Sequence, residues 1–392
     1  MTSGGHISAL LRVAGREIRR LISHPIYLFC MVGAPALSLV FFLTLMEEGL
    51  PSALPVAVVD MDNSAASRSL VRRLDAFAQT DVVMQTPSFT EARLEVQKGN
   101  IYGIYYIPKG FSVKAVTGQQ PVLSFYTNQS SIVPGSLLFR DMKITSILAG
   151  ASVGLQKGLA QGETESRLMA QIQPVVIDTH ATGNPWLNYS VYLNNAILPG
   201  ILQLMILLVT VFSVSTEIKY ATAHEWLRTG NNSLTVCLLG KLLPHTALFT
   251  AVAFAFALVL YGYCSFPLNS GWAPMLAALF LLVTASQAMG VFMVGTLPVP
   301  RLGLSLAGLF GMISFSIIGL SYPVSSMHPS LQALSNLFPI RHYFLIYVDQ
   351  ALNGRDLFYS WIPYTCLAGF LLLPLLTGRY LKRALASLHY IP

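Results

Sequence analysis

The fold class follows from residues 26–46, an uninterrupted apolar stretch without a charged side chain that reads IYLFCMVGAPALSLVFFLTLM. A helix of about 20 apolar residues, rising about 1.5 Å per residue, crosses the roughly 30 Å hydrocarbon core of a bilayer. This apolar run exceeds the about 7–15 residues of a signal peptide, and no small-x-small cleavage site follows it closely. We therefore predict a retained transmembrane helix.

The rest of the chain contains five more stretches of this kind, separated from the first by a segment of ordinary soluble composition. Apolar residues make up 54% of the 392 residues and charged residues only 10%, against about 25% charged in soluble domains. The further predicted spans are residues 196–214, 242–263, 274–297, 302–320 and 361–380. The sequence thus predicts an α-helical membrane protein with six transmembrane helices, one of them at residues 26–46 and the others within residues 191–392.

Basic residues in the short loops predict the orientation of the spans. The N-terminal segment, the connection between the second and third spans, and the C-terminus carry most of them: Arg12, Arg16, Arg19, Arg20, Lys219, Arg228, Lys241, Arg379, Lys382 and Arg383. The connection between the fifth and sixth spans has only Arg341 and Arg355. Both termini are predicted to be cytoplasmic, and residues 47–190 extracytoplasmic, in a multi-pass protein of the cell inner membrane. The net charge of +7 then reflects loops near anionic membrane lipids and not nucleic-acid binding.

Two further segments have membrane-related patterns. Residues 1–25 combine apolar positions at helical spacing with interleaved arginines, which predicts a cytoplasmic amphipathic helix in the inner-leaflet interface, stopped by Pro25. Residues 321–360 mix prolines with apolar stretches too short to span, which predicts short re-entrant helices at the outer face.

Residues 47–190 are predicted to form an α/β domain without disulfides, since the four cysteines all lie outside them. The predicted strands are residues 54–60, 81–84, 101–107 and 122–126, with a last strand at 175–178. Asn63 or Ser64 is expected to cap one helix, and Ser88 with Glu91 has capping-box spacing for a second that ends before Gly99. A longer helix is expected over residues 136–172.

Two motifs resemble enzyme signatures, but each lacks residues that the chemistry requires. Residues 60–64, DMDNS, resemble the opening of haloacid-dehalogenase phosphatases, but no downstream Asp-Asp pair is present to hold Mg²⁺. Residues 224–228, HEWLR, have Arg228 where a zinc protease needs its second histidine. Because a phosphate-binding G-x-x-x-x-G-K-[ST] loop is also missing, we predict no catalytic, cofactor or metal site in this chain.

Polar side chains are few within the spans. We single out eight, none of them ionisable: Gln203, Thr210, Thr284, Ser286, Gln287, Ser305, Ser314 and Ser316. An ion-coupled carrier normally needs acidic groups there, so this class is disfavoured. Small residues at 303, 307, 308 and 311 favour close packing of the fifth span.

Residues 216–230, TEIKYATAHEWLRTG, resemble the signature loop of ABC-2 type permeases. That pattern is an acid, a base, Gly-Thr, then an acid before a hydrophobic pair and Thr-Pro. The positions that match are Glu217, Lys219, Thr222, Glu225, Trp226, Leu227 and Thr229, while Ala221 replaces the glycine and Gly230 the proline. Residues 58–64, 107–111 and 184–185 are similar to the drug-exporter-like subgroup with a large extracytoplasmic domain.

The resemblance implies a fold of the ABC-2, or type V exporter, kind. It implies a permease that dimerises with a second copy or a close paralogue and is driven by a separate ABC ATP-binding subunit, which holds ATP and Mg. It also implies that residues 217–230 form the coupling helix. The residues expected to couple to the ATPase are Glu217, Lys219, Thr222, Glu225, Trp226, Leu227 and Arg228.

The resemblance places the transport path beside the second and fifth spans, where Gln203, Phe212, Phe310 and Ser314 are candidate lining residues. The cargo is expected to be a hydrophobic or amphipathic small molecule, or a lipid-like one, moved out of the cytoplasm or inner membrane. A periplasmic membrane-fusion adaptor is a further candidate partner. The alternative is a membrane receptor or sensor whose outer domain binds a ligand without transport.

Overall fold

The computed structural model describes residues 3–180 and 182–387. The chain divides into two compact units: Met1–Glu47 with Ala181–Pro392, and Glu48–His180. The first, the helical unit, contains the apolar spans, and the second, the insert, contains the sheet.

Six helices of the described residues are long and apolar enough to cross a membrane, which confirms the number of spans expected. They are Pro25–Leu45, Tyr189–Lys219, Leu234–Tyr263, Trp272–Thr296, Pro300–Ile317 and Leu357–Ser387, called the first to sixth spans below. The second span has 31 residues, about 45 Å of helix, so it extends beyond a hydrocarbon core of about 30 Å. An N-terminal helix, Ser3–Ser23, precedes them and ends before Pro25, as expected.

The second and fourth spans form the centre of the helical unit and are the most buried of the six. Gly290 of the fourth span allows the close approach, because a Cβ there would lie 2.9 Å from the Cβ of Thr210. On the fifth span a Cβ at Gly311 would lie 2.4 Å from the side chain of Leu204. The small residues of the fifth span therefore pack closely, as the sequence predicted, except Gly308, which has nothing within 4 Å.

Short helices fill the connection between the fifth and sixth spans. They are Val324–Ser326, Pro329–Ser335, Pro339–Ile346 and Tyr347–Leu352; a turn at Leu357–Ser360 then leads into Trp361–Phe370 and Leu373–Ser387 of the sixth span. Tyr343 and Tyr347 are buried in the same hydrophobic core as the second and fourth spans. Short helices were expected here, and their depth in a membrane stays a prediction.

The insert contains a four-stranded sheet. Its strands are β1 (Leu54–Asp60), β2 (Thr80–Thr86), β3 (Gly103–Ile107) and β4 (Ser124–Thr127), in the order β2-β1-β3-β4. β1 pairs in parallel with β2 and β3, and β4 pairs antiparallel with β3. Its helices are Ala65–Asp75, Phe89–Lys98, Phe111–Thr117, Ile132–Ala160 and Glu165–Ile172.

The acidic turn after β1 stabilises the chain reversal. Asp60 accepts hydrogen bonds from the backbone N–H groups of Asp62 and Asn63, and Ser64 caps the following helix. Of the two candidate caps, Ser64 is therefore the one used. Ser88 likewise accepts from the N–H of Glu91, but the Glu91 carboxylate accepts from Thr86, so that capping box is only half formed.

Two predictions for the insert are wrong. The single helix expected over residues 136–172 is two helices, separated near Gly162, whose φ of 82° departs from helical geometry. Residues 175–178 form no strand, and Val175, Val176 and Ile177 are at least 70% exposed. Their β-branched side chains favour a strand locally, but a strand also needs a neighbouring edge that offers backbone partners.

Candidate functional site

The N-terminal helix is attached to the third span by one narrow face. Ala9, Val13 and Glu17 recur every four residues on this face and are at most 1% exposed. A Cβ at Gly240 of the third span would lie 2.8 Å from the Cβ of Val13, so the glycine allows the two helices to touch. The larger apolar residues of the helix instead lie exposed on its other faces: Ile7, Leu11, Ile18 and Ile22.

Glu17 is the buried anchor of this face. Its carboxylate accepts hydrogen bonds from Lys241 Nζ at 2.8 Å and Ser213 Oγ at 3.0 Å, and lies 3.0 Å from His245 Nε2. Burial by itself raises the pKa of Glu17, but the hydrogen bond from His245 and the charge of Lys241 outweigh it and lower the pKa to about 2. Glu17 is therefore ionised at neutral pH despite its burial.

Glu217, at the end of the second span, is a second buried carboxylate and is 0% exposed. Arg16 donates to both of its oxygens at 3.1 Å, and Arg20 donates to Oε1 at 2.8 Å. Lys241 Nζ lies 2.8 Å from the same oxygen, and Thr222 Oγ1 donates to Oε2 at 2.5 Å. Both oxygens of the Glu217 carboxylate therefore accept hydrogen bonds, and its negative charge is compensated by cations of the N-terminal helix and the third span.

Together these side chains form one network, which we call the buried charge cluster: Arg16, Glu17, Arg20, Glu217, Lys241 and His245. Lys241 joins the contacts around Glu17 to those around Glu217, because its ammonium lies within hydrogen-bonding distance of both carboxylates. Separating a buried ion from its partner strongly destabilises a protein. The cluster therefore holds the N-terminal helix in place against the second and third spans.

A short helix, Ala223–Thr229, follows the second span and is called the loop helix. Trp226 on this helix is 0% exposed, and Lys241 Nζ lies 5.3 Å from the centroid of its ring. Cys237 Sγ donates to the backbone carbonyl of Trp226 at 3.4 Å. The loop helix is thus fixed to the same lysine that joins the buried charge cluster.

Comparison with known families decides what kind of protein carries this arrangement. A family model described as ABC-2 family transporter protein matches residues 25–379. The chain belongs to the ABC-2 transporter family. No curated protein matches it. As a member, it is a multi-pass membrane protein and the permease subunit of a transporter that works with an ATP-binding cassette subunit.

Some of the predicted coupling residues of the permease are buried, and others are exposed. Glu217, Trp226 and Leu227 are buried, and Thr222 is half-buried beside Glu217. The exposed members are Lys219, Glu225 and Arg228. The ring of Trp226 is buried in the permease's own hydrophobic core, in the same cluster as Val13, Ala223 and Cys237, so it is not free to contact a partner.

The four predicted path-lining residues contact other elements of the same chain. Gln203 donates to Ser314 Oγ at 3.4 Å and accepts from the N–H of Ile340 at 2.8 Å. The ring centroid of Phe310 lies 4.4 Å from that of Phe338, and that of Phe212 lies 5.6 Å from that of Tyr27. They join the second and fifth spans to their neighbours, and their role along a path stays a prediction.

Two members of the buried charge cluster were missed in the sequence. Glu17 lies among arginines that were counted only for topology, and His245 lies inside the predicted third span but was left out of its polar residues. The list of polar span residues, none of them ionisable, was therefore incomplete, because His245 is ionisable and 0% exposed. In the structure Glu217 and Lys241 also lie within the second and third spans and are 0% exposed. A signal existed for Glu17, since it follows the apolar Val13 by four residues and so shares its helix face.

No group of three or more His, Cys, Asp or Glu residues suited to a metal ion occurs within residues 3–180 and 182–387. The sequence likewise predicts no cofactor in this chain, with ATP and Mg held by the partner ATPase; this stays a prediction.

Proposed function

We propose that this permease exports a hydrophobic or amphipathic molecule across the inner membrane, driven by a separate cassette ATPase. Both termini are cytoplasmic in this proposal, and the insert is extracytoplasmic, as in the drug-exporter-like subgroup. The basic residues of the N-terminal segment and of the connection between the second and third spans support this orientation. The exposed apolar residues of the N-terminal helix support its position in the inner leaflet.

The observation that carries the proposal is the loop helix, which is rigidly held on one side and exposed on the other. Its exposed side presents Glu225 and Arg228, with Lys219 just before it. Charged side chains of both signs on a fixed helix suit a complementary protein surface. We assign this surface to the docking of the cassette ATPase.

The buried side of the loop helix gives a route from that surface to the spans. A displacement of the loop helix acts on Lys241 of the third span through Trp226, and on Glu217 of the second span through Thr222. Because the buried charge cluster also holds the N-terminal helix, these three elements move together. Two copies of the permease would then open a path beside their second and fifth spans.

The test reverses the two exposed charges of the loop helix. We expect the double variant Glu225→Lys, Arg228→Glu to retain at most about one tenth of the wild-type cassette ATPase on affinity purification, since several like-charge contacts each cost affinity. Arg301→Glu, an exposed arginine at the start of the fifth span, is the matched control and keeps the ATPase.

Trp226 and Glu217 are left intact in this test, because their burial would confuse loss of docking with loss of folding. Unchanged ATPase recovery by the charge-reversed variant, with an unchanged melting temperature, contradicts the assignment of this surface.

A further inference from the structure

The two faces of the insert's sheet are covered unequally. The helices Ala65–Asp75 and Ile132–Ala160 pack on the face that carries Val56, Val58 and Tyr105. The opposite face is covered by the helix Phe89–Lys98, which packs on β1, β2 and β3. β4 therefore lies beside this helix with its side chains on that face open.

A groove of about 660 Å³ occupies this open part of the face. The helix supplies one wall, with Phe89, Arg93 and Gln97, while the floor consists of Ile104 and Tyr126. These two residues are paired across β3 and β4, so their side chains point to the same face. Small-molecule sites occupy about 300–1,000 Å³, and the groove has this size.

The groove offers an aromatic surface. The ring centroid of Phe89 lies 5.1 Å from that of Tyr126 and 6.2 Å from that of Tyr106. Tyr126 is 52% exposed although it is a large side chain in a strand. A flat apolar group can pack on this ring without displacing any core residue.

The charge that lines the groove is positive. Arg93 is its only charged lining residue among those that the structure describes, and its guanidinium makes no hydrogen bond or ion pair with any described residue. The neighbouring acids on the same helix have other partners, since Glu91 accepts from Thr86 and Glu95 from Lys98. The unused donors of Arg93 therefore remain available for an external anion.

We infer that this groove binds a small organic anion with a flat apolar body. The apolar body packs on Tyr126 and Phe89, and the carboxylate or phosphate group accepts hydrogen bonds from Arg93. Gln97 and Asn128 line the groove and supply further polar groups at its rim. The site lies in the insert and is independent of the docking of an ATPase at the loop helix.

The inference is tested with 2-naphthoate as the probe and the full chain in nanodiscs of zwitterionic phosphatidylcholine, by equilibrium dialysis against empty nanodiscs. We expect saturable binding by the wild type. Arg93→Gln should raise the Kd about tenfold, as expected for the loss of a charged hydrogen bond. Tyr126→Ala should raise it about fivefold, whereas Tyr126→Phe, which keeps the ring, should bind like the wild type.

The matched control is Arg73→Gln, an exposed arginine on the helix Ala65–Asp75 over the opposite face of the sheet, and it should leave the Kd unchanged. Arg93→Glu should exchange the preference, binding the cation 2-naphthylmethylamine in place of the anion. No saturable binding by the wild type overturns the inference. Equal Kd values for Arg93→Gln and Arg73→Gln, or tight binding of 2-naphthoate by Arg93→Glu, also overturn it.

Discussion

Lys241 has an unusual position for a lysine, because it is 0% exposed and burial of a charged group is costly unless the charge is paired. Its ammonium lies 2.8 Å from the carboxylates of both Glu17 and Glu217, and 5.3 Å from the ring centroid of Trp226. One cation thus connects the N-terminal helix, the end of the second span and the loop helix. At the residue scale, the coupling that we propose depends on this side chain and the two acids beside it.

Glu17→Gln tests the buried charge cluster. At pH 7 we expect it to lower the free energy of unfolding by about 3 kcal/mol, because Lys241 loses half of its charge compensation in a buried site. Denaturant titration in detergent micelles measures this loss. Glu165→Gln, an exposed acid of the insert, is the control and should change the free energy by no more than about 0.5 kcal/mol.

The stability difference between the wild type and Glu17→Gln should depend on pH. The pKa of Glu17 in the folded chain is about 2, below the usual value of 4.5 for a glutamate, so its ionisation stabilises the fold above about pH 4.5. This contribution is lost as the pH falls from 4.5 towards 2. The stability difference between wild type and Glu17→Gln should shrink over that interval, and a difference that stays constant from pH 7 to pH 2.5 contradicts the role of the carboxylate.

At the scale of elements, the N-terminal helix and the third span touch at Gly240. A Cβ there would lie 2.8 Å from the Cβ of Val13 and 2.9 Å from the carbonyl oxygen of Leu10. Backbone and branched side chains cannot yield by that much, so any larger residue separates the helices. The separation would also lengthen the contacts from Glu17 to the third span.

Gly240→Ala should therefore destabilise the protein, by about 1–3 kcal/mol, as over-packed sites do. The control is Gly15→Ala on the N-terminal helix, where nothing lies within 4 Å, and this alanine should stabilise by up to about 1 kcal/mol through helix propensity. Thermal unfolding of both variants in the same detergent measures the two signs. Equal stabilisation by both alanines would show that the helices do not touch at Gly240.

Elements determined by their own residues were predictable from the sequence. β1 has the expected bounds, Ser64 caps its helix, and Gly99 ends the next one with a φ of 80°. The strand expected at residues 175–178 failed, because pairing depends on a distant edge that local propensity does not reveal. The six spans were predictable because about 20 consecutive apolar residues have few alternative structures.

The candidate site was predictable only in part. The loop helix was found from residues 216–230, but the sequence did not show that Trp226, one of its predicted coupling residues, is 0% exposed. Glu17 and Lys241 are 224 positions apart in the sequence, so no local pattern shows that they meet. The contacts that Arg16 and Arg20 make with the buried Glu217 are likewise about 200 positions apart.

At the scale of the whole molecule, the permease combines a helical unit with an insert that has its own core. The proposed function requires that the insert and the loop helix lie on opposite sides of the membrane. The charge distribution of the short loops predicts this arrangement.

Labelling of single cysteines tests the orientation. With the native cysteines replaced, Thr90→Cys in the insert and Ser325→Cys before the sixth span should react with a membrane-impermeant maleimide in intact cells. Ser387→Cys, in the C-terminal part of the sixth helix, should react only after the membrane is permeabilised. All three positions are exposed, so burial does not limit the reaction. Labelling of Ser387→Cys in intact cells contradicts the proposed topology.

The most direct test of the central claim is the composition of the complex that the wild-type chain forms in its own membrane. The chain is purified by an affinity tag in a mild detergent, and its partners are quantified by mass spectrometry together with the ATPase activity of the sample. We predict a stoichiometric cassette ATPase with measurable ATP hydrolysis, lost together in the double variant Glu225→Lys, Arg228→Glu. A purified, folded chain that reproducibly lacks any cassette ATPase would contradict the account.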